Sequence, residues 1–323
     1  MPLATGTEAE TEKPEQAAPA KGALARFLDS DILYSFLHSK VTIVSAIVTF
    51  AFFFGALFAP LIAPHDPFDL ASLSILDSQL PPVGMEGSNP SYLLGTDDQG
   101  RDILSGILYG ARISLAVGFF SVALAAVVGV LLGLIAGYVG GKVDAIIMRI
   151  AEVQLTFPAI LIALLVDGVA RALFGNLDRE RFAFWILVFS IALSFWVQFA
   201  RTVRGSTLVE RNKEYVQAAR LIGIPPFLIM IRHVLPNVVG PVLVIATINL
   251  GLAIITEATL SFLGVGIPPT QPSLGTLVRI GNDFLFSGEW WIAMFPGLAL
   301  AILVLAVNLL GDWLRDALNP KLR

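Results

Sequence analysis

The chain contains no cysteine, only three histidines and few charged residues, and each shortage argues against a class of function. Without cysteine there can be no disulfide, thiol nucleophile or cysteine metal site. His38, His65 and His233 are scattered and lack the spacing of a histidine metal motif. The phosphate-binding pattern G-x-x-x-x-G-K-[ST] is also absent. We therefore expect no enzyme, no cofactor and no ATP hydrolysis by this chain itself.

Apolar residues are correspondingly abundant in this chain. They make up 56% of the 323 residues, against 14% charged residues, and the mean hydropathy is +0.78. This composition is typical of an integral membrane protein. Because about 20 apolar residues cross a bilayer as a helix, the apolar runs predict an all-α protein with six transmembrane helices. The six predicted spans are 41–64, 113–141, 145–166, 182–200, 234–256 and 290–311.

The remaining segments divide the chain into three regions. Residues 1–24 are rich in Ala, Pro, Glu and Thr, which predicts a disordered cytoplasmic tail. Residues 25–112 form an N-terminal region with the first span and an external loop, and 25–40 has the mixed composition of an interfacial helix. Residues 113–323 form the main transmembrane domain.

The external loop contains a predicted helix start. Thr96, Asp97 or Asp98 is placed to cap a helix that begins near Gly100. Its apolar positions, Ile103, Leu104, Ile107 and Leu108, fall on one face. We expect an amphipathic helix on the membrane surface.

Basic residues are distributed unequally between the two sides of this topology. With the amino terminus in the cytoplasm, 15 of the 21 Lys and Arg residues fall on the cytoplasmic side, within 1–40, 142–149, 201–232 and 315–323. This bias agrees with the positive-inside rule. It places both termini and the loop 201–233 in the cytoplasm.

That cytoplasmic loop contains a predicted short helix. Tyr215, Ala218, Ala219 and Ile222 recur at helical spacing and predict one apolar face for a partner, on a helix that begins near Glu214. Gly223 is a predicted C-cap, and the two prolines that follow it prevent the helix from continuing. The sequence therefore predicts a short helix, a turn and a second helix.

Two patterns inside the spans concern packing and charge. Small residues recur every four positions in the second span, which favours close helix packing, either within this subunit or against another half of a pore. They are Ala125, Gly129, Gly133, Gly137 and Gly141.

Arg149 and Glu152 stand three residues apart in the third span, a spacing that allows mutual neutralisation, and Pro158 predicts a kink. Glu257 lies about 35 Å along the fifth span, which predicts an interfacial carboxylate.

Residues 217–236 resemble the cytoplasmic EAA loop of permease subunits in binding-protein-dependent ABC importers. Gln217-Ala218-Ala219, Gly223 and Leu235-Pro236 occupy the positions of that motif. Gln217 stands where the family has an acid, for which Glu214 is the candidate, and His233 replaces an isoleucine. In the family this loop is the coupling helix that docks in a groove of the ATPase. The resemblance implies an ATPase-coupling role for Glu214, Tyr215, Gln217, Ala218, Ala219 and Gly223.

Three further stretches resemble the dipeptide, oligopeptide and nickel type of importer permease: 94–115, EATLSFLGVGIPP at 257–269, and 295–323. The resemblance implies the six-span type I importer fold in a bacterial cytoplasmic (inner) membrane. Its implied partners are a homologous second permease, two ATPase subunits that bind the ATP, an extracytoplasmic solute-binding protein and membrane lipid, with no nucleic acid.

The substrate is open at this level. Peptides are the first expectation, with nickel or another small solute as the alternative. A secondary transporter is the alternative of another class, but it would need ionisable residues along a central pathway, and the charges here lie near the ends of the predicted spans.

Overall fold

The computed structural model describes residues 31–69 and 73–317, apart from the side chains of 31–33 and 174–180. The predicted tail, 1–24, lies outside the described residues. Within the described ranges the chain is helical, and one isolated bridge pairs Thr96 with Asp102.

The helices of the described residues are numbered here in chain order. They are α1 (Asp31–His38), α2 (Lys40–Leu57), α3 (Ala59–Ile62), α4 (Ile103–Val139), α5 (Gly141–Leu155), α6 (Ala159–Glu210), α7 (Glu214–Leu221), α8 (Pro226–Phe262), α9 (Leu274–Asn282) and α10 (Trp291–Ala317). Single 3-10 turns occupy Ile75–Asp77 and Leu285–Ser287, and α8 contains one π-helical turn at Met230–Val234. Helix α1 belongs to a separate unit, of which residues 31–39 are described, and its Tyr34 and His38 rings stack.

Among the described residues, five helical segments are long and apolar enough to cross a membrane: α2, α4, the part of α6 from Arg181 onward, α8 and α10. A sixth span results if α5 and the first part of α6, which meet at 94°, are taken as one broken span. The all-α membrane fold with six predicted spans is therefore confirmed in this form.

The third predicted span differs from a straight or gently kinked helix. α5 ends at Leu155, and α6 begins at Ala159 after an extended Pro158 with ψ of 136°. Pro158 has no N–H to donate and its ring opposes continuation of the preceding turn, so the helix breaks completely. Beyond this break α6 stays helical for 52 residues, so helix also connects the third and fourth predicted spans.

The predicted helix start in the external loop is displaced. Asp102, not Thr96, Asp97 or Asp98, caps α4, because its Oδ2 accepts a hydrogen bond of 2.9 Å from the Ser105 N–H. The helix is continuous with the second span, so no separate surface helix forms. Asp97 instead closes the preceding turn by accepting from the Arg101 N–H at 2.9 Å.

The small residues of α4 pack within this subunit. A Cβ added at Gly133 would lie 2.4 Å from the Ala200 carbonyl oxygen, and one at Gly137 would lie 2.7 Å from Thr207 Cβ. A Cβ added at Gly129 would likewise clash with Phe199 of α6. Gly141 is the first residue of α5, and a Cβ added there would meet nothing within 4 Å. The repeat therefore lets α4 and α6 approach closely.

Glu257 lies near the end of α8 and is fully enclosed by protein. Its two carboxylate oxygens accept hydrogen bonds of 2.7 Å from the hydroxyls of Ser114 on α4 and Ser261 on α8. The predicted depth of Glu257 near the interface stays a prediction, and the structure adds that protein encloses the carboxylate, because the position along a helix does not determine what surrounds a residue.

Candidate coupling site

Helix α7 is held against its own subunit by one apolar side. Val216 and Ala219 are buried, and they belong to a cluster with Leu134 of α4, Val203 of α6 and Val234 of α8. The predicted arrangement of a short helix, a turn and a second helix is confirmed. Burial of this side fixes the orientation of α7 relative to three long helices.

The outward face of α7 differs from the predicted one. Ala219 is 4% exposed and packs inward, so Tyr215, Ala218, Ala219 and Ile222 do not share a face toward a partner. Glu214, Gln217, Ala218 and Leu221 are exposed and also follow helical spacing, and Tyr215, Arg220 and Ile222 are exposed beside them. The small Ala219 side chain instead allows α7 to lie close to the hydrophobic core of the subunit.

Gly223 ends α7 as predicted. Its φ is +82°, a conformation that glycine adopts without a Cβ penalty. The Ile224 N–H donates to the Ala219 carbonyl and the Gly223 N–H donates to the Arg220 carbonyl, both at 3.1 Å, which is a Schellman motif. This turn directs the chain from α7 into α8.

An exposed apolar patch continues from the end of α7 into α8. It consists of Leu221, Ile222 and Phe227, which are 88%, 75% and 66% exposed. Leu221 and Phe227 are not among the residues predicted from the motif, although the sequence has apolar residues on both sides of Gly223. Exposed apolar side chains that cluster in this way form a candidate contact surface.

Tyr215 joins α7 to the ends of two long helices. Its hydroxyl donates to Glu210 Oε2 at the end of α6 and accepts from Asn237 Nδ2 of α8 at 3.1 Å. Lys213 Nζ donates to the other Glu210 oxygen at 2.6 Å. Burial, and then the nearby Glu210 carboxylate, raise the pKa of Tyr215 to about 12. The hydroxyl therefore stays protonated and remains a donor at physiological pH.

The other predicted residues have local roles. The Gln217 side-chain amide donates to the Asn212 carbonyl at 3.0 Å and so closes the turn before α7. Glu214 is exposed in the first turn of α7, where its negative charge interacts favourably with the positive end of the helix dipole.

A family model described as binding-protein-dependent transport system inner membrane component matches residues 129–323. The chain belongs to this family. A second model, described as the N-terminal transmembrane domain of oligopeptide transport permease C, matches residues 29–82. The protein is thus a membrane-spanning permease subunit of a transport system that uses a binding protein, as the resemblance of its loop predicted.

Curated relatives of the permease cover most of its length. A di/tripeptide transport system permease protein of Pseudomonas aeruginosa is 37% identical over 90% of this chain and 91% of its own. A dipeptide transport system permease protein of Haemophilus influenzae is 40% identical over 83% and 86%. A glutathione transport system permease protein of Pectobacterium atrosepticum is 38% identical over 89% of each chain.

A solved structure shows the same fold at low sequence identity. The inward-facing MetNI methionine ABC transporter contains a chain that matches the permease with a TM-score of 0.52 and 19% identity, over 67% of this chain and 98% of that one. This likeness confirms the type I importer permease fold.

Two further contacts connect α7 of the permease to α4. The Arg220 guanidinium lies 4.9 Å above the Tyr138 ring, and its Nε donates to the Tyr138 hydroxyl at 3.3 Å. Arg211, in the turn before α7, donates to the Gly137 carbonyl at 2.8 Å. The arginine thus satisfies a carbonyl in the last turn of α4. Together with Tyr215, these contacts tie α7 to the ends of α4, α6 and α8.

Proposed function

We propose that the permease forms half of the translocation pore of an ATP-driven importer of peptides. The peptide assignment is supported by three relatives, whose names specify di/tripeptide, dipeptide and glutathione transport. A homologous second permease completes the pore, a solute-binding protein delivers the peptide, and two ATPase subunits bind and hydrolyse ATP. The subunit itself remains non-catalytic.

The observation that carries this proposal is the exposed patch of Leu221, Ile222 and Phe227 beside the firmly seated α7. In the proposed complex an ATPase groove covers this patch. Glu214, Gln217 and Ala218 complete the contact on the outward face of α7, while Tyr215, Ala219 and Gly223 hold the helix in position from within. Burial of three large apolar side chains supplies binding energy of several kcal/mol, at about 1.5–3 kcal/mol each.

The mechanism follows from the attachment of α7 to three long helices. When the ATPase pair closes on ATP, α7 moves with its groove. Tyr215 and Arg220 then transmit the displacement to the adjoining ends of α6, α8 and α4. The pore alternates between inward-open and outward-open states, and ATP shifts this equilibrium because it favours the closed ATPase pair. The binding protein must likewise have different affinities for the two states.

This function requires α7 to lie in the cytoplasm, where ATP is found. The excess of Lys and Arg on that side supports this orientation and places both termini there too. The membrane is then the bacterial inner membrane.

The test compares Leu221→Glu with Leu76→Glu in the reconstituted importer. Leu76 lies between α3 and α4, far along the chain from the patch, and is as exposed as Leu221. A buried interface carboxylate without a partner costs roughly 2 kcal/mol or more, so Leu221→Glu should lower copurification with the ATPases and ATP-driven peptide uptake at least tenfold. Leu76→Glu should leave both unchanged. Normal copurification and uptake by Leu221→Glu would disprove the docking role.

A further inference from the structure

An exposed ion pair interrupts the apolar surface of α5. Arg149 Nη1 lies 3.3 Å from Glu152 Oε2, and the two side chains are 79% and 63% exposed. Their neighbours Ile150 and Val153 are also exposed, whereas Ala151, on the opposite side of the helix, is buried in the core with α6. The ion pair therefore points away from the rest of the subunit.

The depth of this pair follows from Gln154. The Trp196 ring N–H donates to Gln154 Oε1 at 2.8 Å, and the Gln154 amide donates to the Leu193 carbonyl. Trp196 and Leu193 both lie in the cytoplasmic half of the apolar stretch 182–200 of α6, so Gln154 is level with that half of the hydrocarbon core. Arg149 precedes Gln154 by about 7.5 Å of helix toward the cytoplasm, so the ion pair lies toward the cytoplasmic end of the span.

Ionisable side chains within the spans of membrane proteins almost always face a bundle interior or a water-filled path and not lipid. A cavity of about 600 Å³ lies on this side of α5, inside its bend with α6. Its lining includes Arg149, Val153, Gln154, Phe157 and Leu161.

We propose that the bend between α5 and α6 lines the translocation path, and that Arg149 and Glu152 contact the charged ends of the passing peptide. This inference rests on the proposed peptide import. A free peptide carries a carboxylate at one end and an ammonium group at the other, which are complementary to the Arg149 guanidinium and the Glu152 carboxylate. In the empty path the two side chains neutralise each other. When a peptide enters, its carboxylate replaces Glu152 as the partner of Arg149, and its ammonium group replaces Arg149 as the partner of Glu152.

The first experiment measures water access, and the absence of native cysteine makes this subunit suitable for it. Val153→Cys lines the cavity and leaves the ion pair intact. Phe50→Cys is the control, since Phe50 is an exposed residue of the apolar α2. In the complete complex in proteoliposomes, a charged, membrane-impermeant thiol reagent should modify Val153→Cys in at least one of the nucleotide-free and ATP-bound states, and Phe50→Cys in neither. Protection of Val153→Cys in both states would overturn the inference.

The second experiment measures the role of the charges. Arg149→Gln with Glu152→Gln removes both charges without leaving one unpaired. Because charge-assisted contacts with the peptide are lost, the maximal rate of peptide uptake should fall at least tenfold. The stimulation of ATPase activity by the binding protein should persist, because α7 and its contacts are unchanged. Unaltered peptide uptake would refute the peptide contact.

These readouts separate the two proposals. A complex that hydrolyses ATP but imports no peptide even with the native chain contradicts the proposed function, while reaction at Val153→Cys would still show a water-filled path. A fall in both uptake and ATPase stimulation in the double variant would assign the pair to coupling and refute its role as a peptide contact.

Discussion

The Tyr215 hydroxyl donates a hydrogen bond to the Glu210 carboxylate, and so connects the short exposed helix α7 to the last residue of the 52-residue helix α6. The same oxygen accepts from Asn237 of α8. One hydroxyl group thereby holds three helices together at the position where we propose that an ATPase docks. A movement of α7 cannot occur without displacing the ends of α6 and α8 or breaking these bonds.

Tyr215→Phe should weaken coupling while preserving the docking surface. The substitution keeps the ring but removes the hydroxyl, so Glu210 loses a donor and Asn237 loses an acceptor. At about 1 kcal/mol for each hydrogen bond, and more for the charged partner, the number of peptides imported per ATP should fall several-fold. Peptide uptake and ATP hydrolysis measured in the same proteoliposomes give this ratio.

Tyr92→Phe provides the matched control for that variant. The Tyr92 hydroxyl lies in the segment before α4, 3.4 Å from an Asp77 oxygen, and has no contact with α7. The ratio of peptide to ATP should therefore remain at the native value. An unchanged ratio in Tyr215→Phe as well would show that the hydroxyl does not transmit movement.

The Tyr215 hydroxyl should ionise only at high pH. Burial and the Glu210 carboxylate disfavour the phenolate and raise the pKa from 10.0 to about 12. Since the folded state binds this proton more tightly, the resulting stabilisation is fully present below pH 10 and is lost as the pH rises through about 12. The difference in phenolate absorbance between native protein and Tyr215→Phe should appear near pH 12. A difference that appears near pH 10 would contradict the hydrogen bond between Tyr215 and Glu210.

Much of the fold could be predicted because long apolar runs indicate membrane helices and regularly spaced glycines indicate close helix packing. Gly129, Gly133 and Gly137 predicted a close contact with another helix, and that helix is α6. Gly223 and the following prolines identified the end of α7 for local reasons that need no tertiary structure. The sharp break at Pro158 was predicted only as a kink, because a proline excludes the regular helix without fixing the new direction.

The outward face of α7 could not be chosen from periodicity. Residues 215, 218, 219 and 222 follow helical spacing, and so do 214, 217, 218 and 221. Only the contacts of Val216 and Ala219 with the core show that the second set faces outward. The prediction of the α4 N-cap was wrong for a similar reason. Several acidic residues precede the helix, and the conformation of the backbone turn orients Asp102 toward the free N–H groups.

The close contact between α4 and α6 should tolerate no added methyl group. In Gly133→Ala the new Cβ would lie 2.4 Å from the Ala200 carbonyl oxygen and 2.9 Å from Val203 Cβ, so the helices must separate. Overpacking of this kind costs about 1–3 kcal/mol. Gly205→Ala on α6 is the control, because its Cβ meets nothing within 4 Å and alanine favours a helix by about 0.5–1 kcal/mol. In detergent, Gly133→Ala should unfold at a lower temperature than native protein and Gly205→Ala at an equal or higher one; equal unfolding temperatures for the two variants would refute the predicted clash.

Glu257 should act as a buried link between α4 and α8, not as a carrier of protons. Glu257→Ala creates a void and removes the acceptors of the Ser114 and Ser261 O–H groups. Unsatisfied buried donors cost about 1–3 kcal/mol each, so the unfolding temperature in detergent should fall clearly. Glu257→Gln retains the size and one acceptor oxygen, and should recover part of the stability together with full peptide uptake. If Glu257→Gln were as stable as native protein but imported no peptide, the proton on this carboxylate would matter for transport and the structural role would be insufficient.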